Sequence, residues 1–214
     1  MSRGALFVFE GCDRVGKSTQ ARRLLKKIQE YGRQAELIAF PDRSSDLGKF
    51  IDQYLKGQVE LEAREAHLLF AANRHALVKK MRETLEKGIS LIVDRYAYSG
   101  IAYTVAKEKS ISLEWAKLHD VGMLRPDCVF FFDLSPEVAA KRSGYGGERL
   151  ESYEYQCRVY EIMKKLGEQN HDIWKVVDAS QPLDDVSEAI WSVMKTYLDG
   201  ETALKEIGTI QVES

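Results

Sequence analysis

The residues with the clearest chemical purpose form a phosphate-binding loop near the start of the chain. Residues 11–18 match the pattern G-x-x-x-x-G-K-[ST] and directly follow an apolar run over 5–9. Glycines let backbone N–H groups surround phosphate oxygens, and the helix that begins near Lys17 adds the positive end of its dipole. In such loops the lysine reaches the β- and γ-phosphates, and the serine ligates Mg²⁺. The motif therefore predicts that Lys17 and Ser18 bind a nucleoside triphosphate with magnesium.

A second pair of charged residues follows the apolar run over 89–93. Asp94 is expected to emerge at the same sheet edge as the phosphate-binding loop, where it can hold a magnesium-bound water or orient an acceptor oxygen. Arg95 can neutralise charge on a transferred phosphoryl group. The alternative is structural, with Asp94 capping the next helix and Arg95 paired with it. Ser18 and Asp94 are the predicted metal-binding residues.

Two further segments could hold an acceptor. Arg43 follows the apolar run over 35–40, and its planar fork suits a monophosphate, although a solvated surface arginine is an equal alternative. Phe70 and Arg74 lie four residues apart in a helical pattern and could present a stacking ring beside a hydrogen-bond donor. Taken alone, Phe70 is more typical of core packing.

The elements that must position these residues alternate between strand and helix. Apolar runs predict strands at 5–9, 35–40, 89–93, 128–134 and 175–177. Helical patterns separate them, including one long helix over 61–87 whose buried side is predicted to contain Leu68, Leu69, Ala72 and Leu77. The pattern is typical of an α/β fold with a five-stranded, mostly parallel sheet covered by helices on both faces.

Composition limits the class of protein. The chain has 214 residues and a net charge of −2, which favours one domain and gives no sign of a nucleic-acid or membrane partner. Three widely spaced cysteines argue against disulfides or a zinc site. No targeting segment is apparent. We expect one domain over 1–200, a lid near 142–150, a tail over 201–214 and a cytoplasmic location, with the nucleus left open as an additional one.

Taken together, the motifs resemble those of the thymidylate kinase family in its eukaryotic-type form. The resemblance is carried by the phosphate-binding loop and by four further segments, which read Phe-Pro-Asp-Arg at 40–43, Leu-Phe-Ala-Ala-Asn-Arg at 69–74, Asp-Arg-Tyr-Ala-Tyr-Ser-Gly at 94–100 and Val-Asp-Ala-Ser at 177–180. It covers residues 4–198. It implies a three-layer P-loop kinase fold, ATP and Mg²⁺ as cofactors, dTMP as acceptor and a homodimer.

The resemblance also implies a role for each matching residue. The catalytic residues would be Arg14, Lys17, Asp94 and Arg95. ATP would contact Gly11, Cys12, Asp13, Arg14, Val15, Gly16, Lys17, Ser18, Thr19, Arg142, Asp178, Ala179 and Ser180. The acceptor would contact Asp13, Phe40, Arg43, Phe70, Arg74, Arg95, Gly100, Tyr103 and Gln156. Within this set Asp13 would hold the sugar 3′-hydroxyl, and Tyr103 would block the 2′ position.

Two positions depart from the family pattern. Leu150 stands where a tyrosine is common, which affects the expected closure of the lid. Cys12 replaces a small aliphatic residue in the loop, where it is either a buried inert thiol or, because of the helix N-terminus, a reactive one.

Other functions remain as alternatives to phosphorylation of dTMP. One is another nucleotide kinase, although Arg43 argues against a neutral nucleoside acceptor, and Phe70 with Arg74 favours a pyrimidine that carries a carbonyl. Acceptance of dUMP stays open, because a methyl group contributes only about 1–3 kcal/mol of discrimination. A nucleotide-dependent switch protein is disfavoured by the lack of an Asn-Lys-x-Asp motif for guanine.

Overall fold

The protein is a five-stranded parallel sheet surrounded by helices. The computed structural model describes residues 3–142, 150, 152–201 and 204–211. The elements in chain order are β1 (Leu6–Glu10), α1 (Lys17–Glu30), β2 (Ala35–Ala39), α2 (Asp46–Leu55), α3 (Ala63–His75), α4 (Val78–Glu86), β3 (Ser90–Asp94), α5 (Ala97–Lys107), α6 (Leu113–Leu118), β4 (Cys128–Asp133), α7 (Pro136–Ala140), α8 (Tyr153–Gln169), β5 (Trp174–Asp178) and α9 (Leu183–Leu198).

The strand order places the phosphate-binding loop at the centre of the sheet edge. The order is β2-β3-β1-β4-β5, and all four pairings are parallel. The chain crosses to the other side of β1 between β3 and β4, which makes the carboxyl end of β1 the position where parallel α/β sheets bind ligands. Within β1 and β3 every residue is buried, so helices cover both faces of the central strands. The predicted fold class is confirmed.

Aromatic residues fill the centre of the core. Phe9 lies 5.6 Å from Phe130 and 5.3 Å from Phe132, measured between ring centroids. All three side chains are almost fully buried. Residues two apart on a strand point to the same face, so these rings from β1 and β4 pack together on one side of the sheet and stabilise the strands that deliver the site residues.

The predicted long helix over 61–87 is wrong, because α3 ends at His75 and α4 begins at Val78. Leu77 N–H bonds to the carbonyl of Arg74, three residues back, so the α-helical hydrogen-bond pattern is interrupted here. The predicted buried side is also wrong in part. Leu68 and Ala72 are exposed, while Ala66, His67, Ala71, Asn73 and Arg74 are among the residues that α3 buries.

The described part of the C-terminal segment packs against the loop that precedes β4. Ile210 exchanges backbone hydrogen bonds with Gly122 and Met123, and Arg125 N–H bonds to the carbonyl of Gly208. Among the helices that the structure describes, none is long and apolar enough to cross a membrane.

Candidate active site

The phosphate-binding loop joins β1 to α1 at the edge of the sheet. Gly16 precedes the first helical residue with a φ of 99°, a conformation that suits glycine. Lys17 is buried, and its ammonium group donates to the carbonyl oxygen of Cys12. Burial lowers the pKa of Lys17 to about 8. Among the other predicted loop residues Val15 is buried, whereas Arg14 and Thr19 are exposed.

Asp94 and Ser18 form the predicted metal-binding pair. Ser18 Oγ donates to Asp94 Oδ2, because β1 and β3 are neighbours and their carboxyl ends meet. Among the described residues, Asp94 Oδ1 is a buried side-chain oxygen without a hydrogen-bond partner. Magnesium prefers oxygen ligands and is bound in such sites by one or two protein groups together with phosphates. An unpaired carboxylate oxygen beside a hydroxyl fits that requirement.

Asp13 connects the loop to the helices of the other side of the site. Its Oδ1 accepts from Arg95 Nη2, and its Oδ2 accepts from Tyr103 Oη and Gln156 Nε2, both at 2.7 Å. Gln156 Oε1 in turn accepts from the Asp13 backbone N–H at 3.0 Å. Burial alone would raise the pKa of Asp13, but the charges of Arg95 and Lys17 outweigh it and hold the pKa below its ordinary value. Asp13 is therefore an oriented carboxylate anion.

Arg95 lies across the loop in a rare backbone conformation. Its φ is 66°, which is uncommon for a residue with a side chain. Its Nη1 donates to the carbonyl oxygen of Gly11 at 3.2 Å, and its guanidinium group lies 5.2 Å from the centroid of the Tyr103 ring. The alternative pairing of Arg95 with Asp94 is wrong, because Arg95 pairs with Asp13 instead.

Glu10 supports this arrangement and was missed at the sequence level. It is fully buried, and its carboxylate accepts from the backbone N–H groups of Tyr96 and Ser99 at 3.0 Å each. Glu10 therefore caps the start of α5. The structural alternative had given this capping role to Asp94. Burial raises the pKa of Glu10. The feature of the sequence that could have identified Glu10 is an acidic residue at the end of an otherwise apolar strand.

A cavity of about 150 Å³ opens beside Asp13 between α2, α3 and α5. Every predicted acceptor residue except Gln156 lines it, namely Asp13, Phe40, Arg43, Phe70, Arg74, Arg95, Gly100 and Tyr103. Leu150 lines it as well, and the Leu150 carbonyl accepts from Gln156 Nε2 at 2.6 Å. Residues that the family resemblance assigns to the acceptor therefore line one cavity, although they come from segments far apart in the chain.

The acceptor residues differ in how they are held. Phe70 is half-buried: it packs against the buried cluster that contains Tyr54, with its ring edge-on to Tyr54 at 6.4 Å, and it also lines the cavity. Arg43 is exposed and forms an ion pair with Asp52. Arg74 is buried and makes two hydrogen bonds to Asp120, at 2.7 and 2.9 Å.

Asn73 holds the turn that carries Arg43 and was also missed. Its side-chain amide accepts from the backbone N–H of Asp42 at 2.8 Å and donates to the carbonyl of the same residue at 2.9 Å. Asn73 lies within a predicted motif, but its spacing from Asp42 gives no sign of the contact, which depends on how α3 packs.

Residues predicted to contact ATP also lie close together. Arg142 donates to the carbonyl oxygens of Arg14 and Ala179, both at 2.9 Å, and so connects the phosphate-binding loop to the turn after β5. Asp178 in that turn accepts from the hydroxyl of Ser180. Residues 143–149, which contain most of the predicted lid, lie outside the described residues.

The structure decides between the two interpretations of Cys12. Its side chain is 1% exposed, and burial raises the pKa of its thiol to about 12. A protonated, inaccessible thiol is inert, so the hypothesis of a reactive cysteine is wrong. The desolvation of the thiol, which raises its pKa, exceeds the opposing effect of the Lys17 charge.

Comparison with known proteins agrees with this geometry. The family model for thymidylate kinase matches residues 9–190. A thymidylate kinase from Danio rerio is 46% identical over 188 residues, and one from Homo sapiens is 45% identical over 188 residues; each alignment covers 88% of this chain and 88% of the relative. The solved structure of thymidylate kinase from Candida albicans has a TM-score of 0.89 and 35% identity, and the match covers 99% of this chain and 100% of that one.

Neither the nucleotide switch nor a kinase for another acceptor explains these matches. The family model, the relatives and the solved structure share one name and match most of the chain. The chain belongs to the thymidylate kinase family and is a phosphotransferase that acts as a dTMP kinase.

Proposed function

We propose that the described site transfers the γ-phosphoryl group of ATP, with Mg²⁺, to the 5′-phosphate of dTMP. The observation that carries this assignment is the position of Asp13 and Arg95. Both line the acceptor cavity; Asp13 belongs to the phosphate-binding loop, and Arg95 contacts that loop. A donor phosphate on that loop and an acceptor in that cavity would therefore meet at this pair.

On the donor side, the chain supplies positive charge and fixed backbone donors. Lys17 and Arg14 would stabilise charge on the β- and γ-phosphates, and Arg142 would lie against the adenine. Ser18 and Asp94 would hold Mg²⁺, which neutralises phosphate charge when bound. Clusters of three or more His, Cys, Asp or Glu side chains able to hold a metal are not found in the part of the chain that the structure describes, so phosphate oxygens would complete the site.

On the acceptor side, each residue has a separate task. Arg43 would bind the 5′-phosphate with charge-assisted hydrogen bonds, and Asp13 would accept from the 3′-hydroxyl. Phe70 would stack on the base. Tyr103 lies with its hydroxyl on Asp13, where its ring would leave no space for a 2′-hydroxyl. Because phosphoryl transfer needs little covalent chemistry from the protein, positioning and charge supply most of the rate enhancement.

The selectivity between dTMP and dUMP depends on one methyl group. A hydrophobic contact of that size changes kcat/KM by about 10–200-fold, so we propose that dUMP is a slow substrate. The thymidylate kinase from Candida albicans, whose fold matches this chain, is described as an enzyme of broad substrate specificity.

Two further properties, the oligomeric state and the location, are also proposed. The family resemblance supports a homodimer. The three cysteines, each of them a free thiol in the structure, are compatible with a reducing location such as the cytoplasm, to which the nucleus can be added.

The direct test of this assignment is a coupled assay of ADP release with MgATP and a panel of acceptors. The panel contains dTMP, dUMP, dCMP, dAMP, dGMP, UMP and free thymidine. We expect turnover concentrated on dTMP, weaker turnover of dUMP and negligible turnover of thymidine. Activity only on a purine nucleotide or a free nucleoside would contradict the roles given to Arg43, Phe70 and Arg74.

A further inference from the structure

The buried ion pair between Arg74 and Asp120 determines how the cavity presents hydrogen-bond donors. Arg74 Nε lies 2.7 Å from Asp120 Oδ1, and Arg74 Nη2 lies 2.9 Å from Asp120 Oδ2. The arginine side chain is 3% exposed and the aspartate side chain is 0% exposed. A bidentate pair fixes the plane of the guanidinium group as well as its position.

Gly100 removes the obstacle that would displace this guanidinium group. A Cβ atom at Gly100 would lie 2.6 Å from Arg74 Nη2 and 2.7 Å from Arg74 Nη1. Glycine is less favourable within a helix than alanine, yet α5 carries it at this position. The missing side chain lets the guanidinium group lie directly against α5.

The other donors of Arg74 are available to a ligand. Among the described residues, its side chain makes the two hydrogen bonds to Asp120 and no others, so three of about five N–H donors are left. Arg74 lines the acceptor cavity. Asp120 lies behind Arg74, and in the described part of the chain it is not one of the residues that line the cavity. The pair therefore presents donors, and no acceptor, to a bound base.

We propose that Asp120 is a specificity-determining positioning residue, which acts through Arg74 to select bases with a carbonyl over bases with an amino group. This inference rests on the proposed function of the cavity. A base carbonyl accepts from the oriented guanidinium group. An exocyclic amino group at the same place is also a donor, so it would leave both groups unpaired in a buried site.

The carboxylate of Asp120 is needed for orientation and for charge. Without it, the guanidinium group loses its fixed plane and becomes an uncompensated buried cation. It would then turn toward whatever acceptor or solvent it can reach, and its fit to a carbonyl would be lost. Selectivity should therefore fall more than turnover.

The test compares kcat/KM for dTMP with kcat/KM for dCMP in the unmodified 214-residue chain and in Asp120→Asn. We expect the ratio of dTMP to dCMP to fall at least about tenfold in the variant, through the KM for dTMP, while the KM for ATP stays within about twofold. Asp172→Asn is the matched control, because it removes a carboxylate from the exposed pair with Arg125. That control should keep the wild-type ratio.

A double-mutant cycle shows whether Asp120 acts through Arg74. In the Arg74→Gln background, adding Asp120→Asn should lower the ratio by no more than about twofold, because the group that Asp120 orients is already gone. A full additional loss would contradict action through Arg74. An unchanged ratio in Asp120→Asn, with equal loss of activity on both substrates, would assign the pair a purely structural role and overturn the proposal.

Asp120→Glu covers the case in which Asp120→Asn does not fold. It keeps the buried charge and moves the carboxylate by one methylene, so the ratio should still fall, and an unchanged ratio would overturn the proposal. If the wild-type protein does not phosphorylate dTMP at all, the function proposed for the cavity fails, which is a different result from any of these.

Discussion

Lys17 shows how burial prepares a residue for its ligand. Its ammonium group is held against the carbonyl oxygen of Cys12, and burial lowers its pKa to about 8. Phosphates near the group favour its charged form and would raise the pKa again. ATP binding is therefore expected to be coupled to protonation of Lys17 at alkaline pH.

The first prediction is that MgATP binding takes up protons above pH 8. At pH 9 most of the free enzyme has a neutral Lys17, so binding should take up about one proton, and at pH 7 this uptake should be close to zero. The KM for ATP should rise with pH over the same range. Calorimetric titration in two buffers of different ionisation enthalpy measures the uptake. Lys17→Met should show none, and absence of uptake at pH 9 in the wild-type protein would contradict the assignment.

The second prediction concerns Arg43, whose ion pair with Asp52 is exposed. Arg43→Ala should raise the KM for dTMP by about 10–100-fold, because charge-assisted hydrogen bonds are lost, and should leave the KM for ATP nearly unchanged. Steady-state kinetics with each substrate varied in turn measures both values. Arg23→Ala is the control, since it removes an arginine of α1 from an exposed pair with Asp184 of α9. Equal affinity for dTMP in Arg43→Ala and the wild type would remove Arg43 from the site.

The residues that could be predicted from sequence are those whose spacing is part of a motif. Lys17, Ser18 and Asp94 are of this kind, whereas most residues of the cavity wall follow from the family resemblance. Asp120 and Asn73 are different, because their partners lie 46 and 31 residues away and only the packing of α3 brings them together. No local pattern contains that information.

At the scale of the elements, the start of α2 is held against the turn that carries Arg43. Gly48 lies in the first turn of α2, and a Cβ atom there would lie 1.9 Å from the Asp42 carbonyl oxygen and 2.8 Å from Arg43 Cα. Both atoms belong to the backbone and cannot rotate away. The helix and the turn therefore depend on a glycine at this position.

The third prediction is that Gly48→Ala weakens dTMP binding. Helix propensity favours alanine by about 1 kcal/mol, but overpacking costs about 1–3 kcal/mol, so steric displacement of the turn should dominate. We expect a KM for dTMP raised by about tenfold and a lower melting temperature, measured by kinetics and calorimetry. Lys49→Ala, on the exposed side of the same turn, should change neither. A stabilised Gly48→Ala with normal kinetics would show that the turn can move freely.

The break between α3 and α4 illustrates a limit of sequence patterns. Neither Ala76 nor Leu77 is a helix breaker, and both have helical or near-helical dihedral angles. The interruption lets α4 bury Met81 and Leu85 while α3 turns Ala63, Ala66 and His67 inward. The buried faces of α3 and α4 are defined only by the packing of the folded protein. Periodicity alone therefore predicts one continuous helix.

At the scale of the whole molecule, the sheet order determines which loops meet. The sequence predicts five apolar strands but does not contain the order in which they pair. The position of β1 between β3 and β4 places the phosphate-binding loop beside Asp94. The site opens where the chain crosses to the other side of β1. We therefore expect the aromatic core under these strands to affect the site only through the stability of the fold, and not through the catalytic rate.

The fourth prediction tests that core. Phe130→Ala should lower the free energy of unfolding by about 3–5 kcal/mol, because Phe130 is fully buried against Phe7 and Phe9. Urea titration should show a lower midpoint with a similar slope, and the folded fraction should keep its kcat. Val176→Ala on the edge strand, where the side chain is 65% exposed, should change stability by less than about 0.5 kcal/mol. A loss below about 1 kcal/mol in Phe130→Ala would mean that the aromatic cluster is not central to the fold.

The most direct measurement follows the phosphoryl group itself. The protein is incubated with Mg²⁺, dTMP and ATP labelled at the γ-phosphate, and the products are separated, with Lys17→Ala as the inactive control. We expect the label to appear in dTDP in an amount equal to the ADP formed, and to be almost absent with Lys17→Ala. Label released only as inorganic phosphate, or transferred equally well by Lys17→Ala, would contradict phosphoryl transfer between the loop and the cavity.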